Sequence, residues 1–400
     1  MPCITIREGL ILKILHIVRQ FSPSVGGLED SVLSLARIQR ESLGIDARVL
    51  TLDRVFGQPD RLSPTDIAQG VPVRRIAWRG STRYPIAPGV FRHLADADLV
   101  HVHAIDFFFD ALALTRWLHR RPLVASTHGG FFHTQALHAI KALWFGSVTR
   151  ASVRAYDRIV ACSHSDALMF DKVARDRLTT IENGINQDKF RNAASRNPTR
   201  TIISFGRFSR HKQIDRLFPL LAHLRAEGAD WRLIVAGRPA DQTEQDLAAA
   251  AQAAGVGDAV RFIIGPTDTE LRALLGQASY YGCLSRHEGF GLAAVEALSA
   301  GLIPIVSDIV PFRRLVTQTG IGIIGSAEDT DGIARDVLAA HGDDHVRAVR
   351  DQAVAAAAAY DWNDVARRYA DVYRDVLTRA GQDPAPIRAM PDAAQRGTLS

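Results

Sequence analysis

The stretch 279–298, SYYGCLSRHEGFGLAAVEAL, decides the fold. Ser279–Leu284 is a short apolar run of strand type, Gly289 and Gly291 mark a loop that a ligand can approach closely, and Phe290–Leu298 has helix character. Strands alternating with helices in this way build a parallel α/β sheet covered on both faces. Ligands of such sheets bind outside the strand C-termini, where this loop lies.

The same unit recurs along the chain. Thr201–Phe205 (TIISF) runs into Gly206-Arg207, Arg232–Ala236 (RLIVA) into Gly237-Arg238, Val260–Ile264 into Gly265-Pro266 and Ile303–Ser307 into Asp308; Gly322–Ile324 closes the series. Upstream, Leu12–Val18, Ala47–Leu52, Val73–Ile76, Leu99–His103, Leu123–Thr127 and Arg158–Cys162 are further short β-rich runs. Helices are predicted through Leu28, Val32, Leu35, Ala36 and Ile38, and over Ala111–His119 and Ala142–Ala155. The polar segment Asn186–Arg200, ending in Asn197-Pro198, separates the two series. The expected fold class is therefore α/β, with Rossmann-like domains over 1–190 and 198–358 facing each other across a cleft. Tyr360–Leu377 is a strong amphipathic helix, so 359–379 stands as its own element. Residues 380–400, with Pro, Gly, Ala and Ser in quick succession and no apolar period, read as a disordered tail.

Composition bounds the function. At 400 residues with 47% hydrophobic and 23% charged side chains, the chain is of soluble globular type, long enough for two cores. No run approaches the roughly 18 apolar residues of a bilayer span. The apolar run Leu10–Val18 carries Lys13 and His16 and lacks a small-residue cleavage site, so it reads as a buried strand rather than a signal peptide. Cys3, Cys162 and Cys283 are too dispersed for a disulfide framework or a metal knuckle, and a cytoplasmic location is expected. The net charge of +5 is uneven: residues 1–185 carry +6 and the remainder −1. A basic half suits a phosphate, a lipid surface or a nucleic acid, although a solvated arginine-rich surface explains the count equally well. Nucleic acid is disfavoured, because no zinc knuckle, aromatic RNP pattern or helix-turn-helix accompanies the charge.

Four constellations bear chemistry. In the 279–298 stretch, free N–H groups at the helix start suit a diphosphate, while Glu288 before the helix and Glu296 within it are in reach of one nucleotide sugar. A carboxylate accepts paired sugar hydroxyls through both oxygens. The ligand-free reading is an acidic residue offsetting the helix dipole; the glycine bracket between strand end and helix tilts the balance. Gly206-Arg207 with Lys212 offers a planar fork and a point charge for a departing diphosphate, against the plainer reading of a solvated basic loop. Gly26-Gly27 permits close backbone approach to a phosphate but is not a G-x-G-x-x-G fingerprint. His128, at a strand end beside Gly129-Gly130, is placed to hydrogen-bond a sugar hydroxyl near the reacting centre, although a lone histidine is more often structural. His101 and His103 share one strand face and read as packing residues. Asp96-Ala97-Asp98 resembles a carboxylate metal motif but precedes its strand, the wrong end for chemistry, so no metal site is assigned.

Taken in order, Gly26-Gly27, His128-Gly129, Glu182-Asn183-Gly184, Gly206-Arg207…Lys212 and Glu288 through Glu296 (an E-x7-E pattern) resemble the family 4 retaining glycosyltransferases of the GT-B fold, over nearly the whole chain. Four stretches resemble a narrower group, the α-mannosyltransferases of xanthan- and acetan-type exopolysaccharide assembly. They are Arg79–Pro88, Ile105–Phe108, Ser126–Thr134 and Cys283–Gly291. The resemblance implies a last helix that crosses back to the N-terminal domain. It implies GDP-mannose as donor and a polyprenyl-diphosphate-linked cellobiose as acceptor, at the cytoplasmic membrane surface and without a metal or other cofactor. It also implies site roles: Glu288 and His128 at the donor sugar, Arg207 and Lys212 on the diphosphate, the Phe290-Gly291-Leu292 backbone capping the phosphates, Glu296 on the ribose and Gly27 allowing closure. No general base is evident, which agrees with a same-face displacement assisted by the leaving phosphate. UDP-glucose or UDP-galactose as donor, a nucleotide-sugar epimerase, and a non-catalytic binding module remain the competing readings.

Overall fold

The computed structural model describes residues 11–128 apart from 25 and 83, residues 144–383 apart from 229, and residue 387. It divides into two compact units, one containing the chain up to Gly184 and again from Trp362, the other Ile185–Asp361. Each is described by itself.

The first unit is built on an eight-stranded sheet of β1 (Lys13–Ile17), β2 (Asp46–Leu52), β3 (Thr65–Ala68), β4 (Val71–Ile76), β7 (Leu99–His103), β8 (Leu123–Ser126), β9 (Arg158–Ala161) and β10 (Leu178–Thr180). A separate hairpin pairs β5 (Arg79–Ser81) with β6 (Tyr84–Ile86). The sheet order is β10-β9-β8-β7-β1-β2-β4-β3, parallel except for β3 against β4. The chain therefore reverses its direction of travel between β1 and β7, the switch point at which such sheets bind ligands. Alternation along β1 sends Ile14 into one core and Leu15 and Ile17 into the other. The first core is closed by the helix Gly27–Glu41, through Val32, Leu35 and Ala36, and by the last helix Trp362–Arg379, through Trp362, Tyr369 and Tyr373. Burying each such large side chain contributes about 1.5–3 kcal/mol, so the last helix is an integral part of this unit.

The second unit holds β11 (Thr201–Phe208), β12 (Arg232–Pro239), β13 (Val260–Ile264), β14 (Tyr280–Cys283), β15 (Ile303–Ser307) and β16 (Ile323–Gly325). All are parallel, in the order β13-β12-β11-β14-β15-β16, so the switch point falls between β11 and β14. Two cores cover its faces.

Several expectations shift. The expected strand end at Phe205 moves outward: β11 continues through Gly206 and Arg207, which pair with Gly237 and Arg238. A Cβ on Gly237 would lie 1.7 Å from the Gly206 carbonyl oxygen, so the glycine is what lets the two strands run on together. The expected helix Ala111–His119 is two helices, Phe107–Leu114 and Arg116–His119, interrupted at Thr115; the Asp106 carboxylate starts the first by accepting from Phe108 N. The described part of Ala142–Ala155 contains a π-helical turn, Phe145–Thr149, before Arg150–Val153. The first unit ends at Gly184 rather than near residue 190, because Ile185, Phe190 and Ala194 are apolar anchors buried in the second core. Gly184 lies against Trp362, where a Cβ would come within 2.9 Å of the indole. Of the tail, residues 384–386 and 388–400 lie outside the described residues. Among the described residues no helix is long and apolar enough to cross a membrane.

Candidate active site

In the second unit the switch point brings two loops together. After β11 a 3-10 turn, Arg210–Lys212, carries Lys212 back over the strand ends, and after β14 the chain passes through Ser285 to Glu288. Lys212 Nζ donates to Glu288 Oε1 at 2.6 Å, both groups being largely buried. Ser285 Oγ donates to the same oxygen at 2.8 Å, and the Cys283 thiol stands 3.9 Å from it. Burial opposes a charge on Lys212, but the Glu288 carboxylate outweighs it and raises the ammonium pKa. The loops are tied by Arg286 N donating to His211 O at 2.8 Å and by stacked His211 and His287 rings. Ser307 Oγ, from β15, holds the Ser285 carbonyl at 2.5 Å.

The helix after this loop spans Leu292–Ala300, beginning two residues later than its apolar pattern suggests. Its N-cap Gly291 has φ +85°, a left-handed backbone, and a Cβ there would press on the Phe312 ring at 2.8 Å. No side-chain hydrogen bond caps this terminus among the described residues, so the positive end of the helix dipole lies three residues beyond Glu288 without a side-chain acceptor. Phe290 packs its ring edge-on against Tyr360. Glu296 lies on the first turns of this helix, and its charge together with that of Glu288 helps push up the buried Tyr281 phenol, after burial itself and Cys283. The two glutamates thus share one neighbourhood. Arg207 is exposed at the end of β11.

In the first unit His128 follows β8 with φ +47° and donates to or accepts from His103 at 2.9 Å. Burial lowers its pKa to about 4, so it is neutral near pH 7. Gly27 opens the helix Gly27–Glu41 with unobstructed space where a Cβ would be. Asp106, at the end of β7, is pushed up to about 7 by burial, partly offset by Arg19. Gly129-Gly130 and the rest of the notable run to Thr134 lie outside the described residues. Asp96 and Asp98 are structural: Asp96 pairs with Lys13 and Arg48, Asp98 accepts from Lys13 N, and Asp96 is held at about 2 by the two cations.

The N-terminal half matches the family model described as Glycosyltransferase Family 4 over residues 25–189, and the C-terminal half matches Glycosyl transferases group 1 over 186–357. A GDP-mannose:cellobiosyl-diphosphopolyprenol alpha-mannosyltransferase of Komagataeibacter xylinus is 57% identical over 92% of this chain and 94% of that protein. The chain is a family 4 glycosyltransferase. The protein of the same name from Xanthomonas campestris is 45% identical over 92% of this chain and 97% of its own. A Mycobacterium leprae phosphatidyl-myo-inositol mannosyltransferase is 27% identical over 88% and 94%. Among solved structures, HepE of Anabaena in complex with UDP superposes with a TM-score of 0.73 at 18% identity, covering 91% of this chain and all of that one. Sucrose-phosphate synthase of Thermosynechococcus elongatus gives 0.70 at 17%, covering 92% and 100%. The fold of this glycosyltransferase is GT-B.

Within this glycosyltransferase, Lys212, Glu288, Gly291, Leu292 and Glu296 are drawn to one switch point, with Arg207 at the adjoining strand end. His128 and Gly27 belong to the other unit. The sequence reading missed Ser285 and Cys283 as partners of Glu288; the spacing Ser285-x-x-Glu288 before a helix was the available signal. It also took His103 for packing, whereas His103 bonds His128 directly; the i, i+2 pairing of His101 and His103 was the clue.

Proposed function

We propose that this glycosyltransferase moves mannose from GDP-mannose to a polyprenyl-diphosphate-linked cellobiose, retaining the configuration at the anomeric carbon. The relative that is 57% identical over 92% of the chain carries this reading. In it, Lys212 and Arg207 take the donor diphosphate, with the N–H groups of Gly291 and Leu292 on its other oxygens; Glu288 orients the mannose and Glu296 accepts from the ribose hydroxyls. His128 hydrogen-bonds the donor sugar, and Gly27 leaves open space for a phosphate group. The bond from the sugar C1 to the phosphate oxygen breaks while the acceptor oxygen bonds C1 on the same face. The acceptor proton passes to the departing GDP oxygen. Stabilising that oxygen's charge supplies most of the acceleration. With a lysine, an arginine and a helix terminus at the leaving group, no divalent cation is needed, and transfer in EDTA is expected to equal transfer in magnesium.

The acceptor's lipid places the enzyme at the cytoplasmic membrane face. Leu114, Trp117 and Leu118 support this, exposed by 79%, 75% and 66% next to Arg116, Arg120 and Arg121. A nearby recess of about 480 Å³ adds Arg150, Arg154, Lys172, Arg175 and Arg177 against Asp171 and Asp176. Apolar side chains amid net positive charge suit an anionic bilayer surface. Trp117→Ala with Leu118→Ala is expected to reduce sedimentation with phosphatidylglycerol vesicles.

The deciding assay offers purified protein radiolabelled GDP-mannose, UDP-glucose or UDP-galactose with extracted lipid acceptor. Mannose is expected in the lipid fraction. Incorporation of glucose or galactose instead overturns the donor assignment, and interconversion of free nucleotide sugars without transfer points to an epimerase.

A further inference from the structure

The core of the first unit contains a continuous run of hydrogen bonds that ends on His128. Starting inside, Gln39 on the helix Gly27–Glu41 offers Oε1 to His16 Nε2 at 2.8 Å. His16 Nδ1 meets His103 Nε2 at 2.9 Å, and His103 Nδ1 meets His128 Nε2 at 2.9 Å. The other end of the Gln39 amide donates to the Tyr373 hydroxyl at 3.2 Å, on the last helix. Tyr373 meets His101 Nδ1 at 2.7 Å, His101 Nε2 meets Ser126 Oγ at 2.7 Å, and Ser126 meets the Tyr369 hydroxyl at 3.0 Å. His16, His101 and His103 are fully buried. Their nitrogens lie within 4.8 Å of one another, a spacing that would fit a metal ion, but each ring nitrogen already has a hydrogen-bond partner.

Burial keeps all four imidazoles neutral near pH 7, and a neutral imidazole has one N–H and one lone pair. That rule propagates the protons without ambiguity once one end is fixed. Gln39 Oε1 can only accept, so His16 carries its proton on Nε2 and accepts at Nδ1. His103 must then donate from Nε2 and accept at Nδ1. His128 in turn donates from Nε2, and its Nδ1 is left as an acceptor. On the branch through Tyr373 the same logic runs outward: Gln39 Nε2–H donates to Tyr373, Tyr373 to His101 Nδ1, His101 Nε2–H to Ser126, and Ser126 to Tyr369. Rotating the Gln39 amide by half a turn would reverse every bond in both branches and turn His128 Nδ1 into a donor.

We propose that the Gln39 amide, with its oxygen on His16 and its nitrogen on Tyr373 of the last helix, fixes the tautomer of His128 through His16 and His103, so that Nδ1 meets the substrate as a hydrogen-bond acceptor. Gln39, His16 and His103 are positioning residues, and the ligand group they select for is a hydroxyl that donates, such as one on the donor sugar. This last step rests on the role given to His128 above, whereas the proton order does not.

The test uses the full chain labelled with 15N-histidine, reading tautomers from two-bond nitrogen–proton correlations. His16, His103 and His128 are each expected as the Nε2–H form. In Gln39→Met, which keeps the side-chain length but neither accepts nor donates strongly, His128 is expected to become a mixture of tautomers. Mannose transfer from GDP-mannose is expected to fall about tenfold in kcat with a smaller change in KM. An Nδ1–H form of His128 in the unaltered protein overturns the proposal, and that measurement stands even if the variant fails to fold. An unchanged tautomer in a folded Gln39→Met overturns it equally. A tautomer shift with unchanged transfer keeps the relay and overturns only the role of His128 toward the donor.

Discussion

The two sheets share a parallel core and a switch point, yet their C-terminal edges are chemically opposite. In the second unit the edge carries full charges: Lys212 against Glu288, Arg207 exposed, and an uncapped helix N-terminus. In the first unit it carries neutral imidazoles, His16, His103 and His128, linked nitrogen to nitrogen. A departing diphosphate needs positive charge set in place beforehand. A sugar hydroxyl needs a directed hydrogen bond, which a neutral, tautomerically defined ring supplies without the cost of burying a charge. One architecture thus carries two kinds of chemistry, and which kind is decided by what fills the strand ends.

The contrast can be broken most severely at Lys212. Lys212→Ala leaves Glu288 without its cation and, under the proposed role of Lys212 on the diphosphate, removes charge at the leaving group, so transfer is expected to fall about 10²–10³-fold, mostly in kcat; equal loss in Arg207→Ala would mean that the two cations are interchangeable. His128→Ala removes one hydrogen bond rather than a charge and is expected to cost about 10²-fold in kcat, with GDP affinity, measured by calorimetry, unchanged. Glu296→Ala is expected to act on the nucleotide, raising the donor KM about tenfold through loss of a charged hydrogen bond while kcat stays within about twofold.

A smaller effect separates the units by pH. His16, His101, His103 and His128 have pKa values below the ordinary 6.5, with His16 and His128 at about 4. Between pH 6.5 and 4 the unfolded chain binds protons that the folded one refuses, so stability is full above 6.5 and is lost as pH falls toward 4. Asp106 works the other way, its folded carboxyl at about 7 keeping a proton the unfolded chain has released, but it is one group against four. Hydrogen exchange at pH 5 against pH 7.5 should show the first unit losing protection before the second. The smallest effect is expected at Asp96→Asn. The residue is exposed and pairs with Lys13 and Arg48 at the far strand ends, so transfer should be unaltered.

Much of this was legible in the residues because it is local. Apolar runs alternating with 3.6-period stretches give βα units, and glycines at strand ends mark where backbone must pass closely, so the α/β class and the 285–296 loop could be read directly. Lys212 and Glu288 each stand out in the sequence, but their ion pair does not, because 76 residues separate them and only the β11–β14 adjacency joins their loops. The first helix within the predicted Ala111–His119 starts earlier, at Phe107, because its start depends on the Asp106 cap rather than on apolar period.

By itself, then, the sequence determined the alternating strands and helices, the glycine-bounded loop and the types of residue able to bind a phosphorylated sugar, all of which follow from short-range sterics and periodicity. The tertiary structure alone decided which of those residues meet. It set Glu288 on Lys212 through strand order. It also turned His101 and His103 from apparent packing into links of a hydrogen-bonded chain between His128 and Tyr373, 245 positions away along the chain. The reason is physical: a hydrogen bond needs its partners within about 3 Å, and residues this distant in sequence come that close only once the sheet and the last helix have packed.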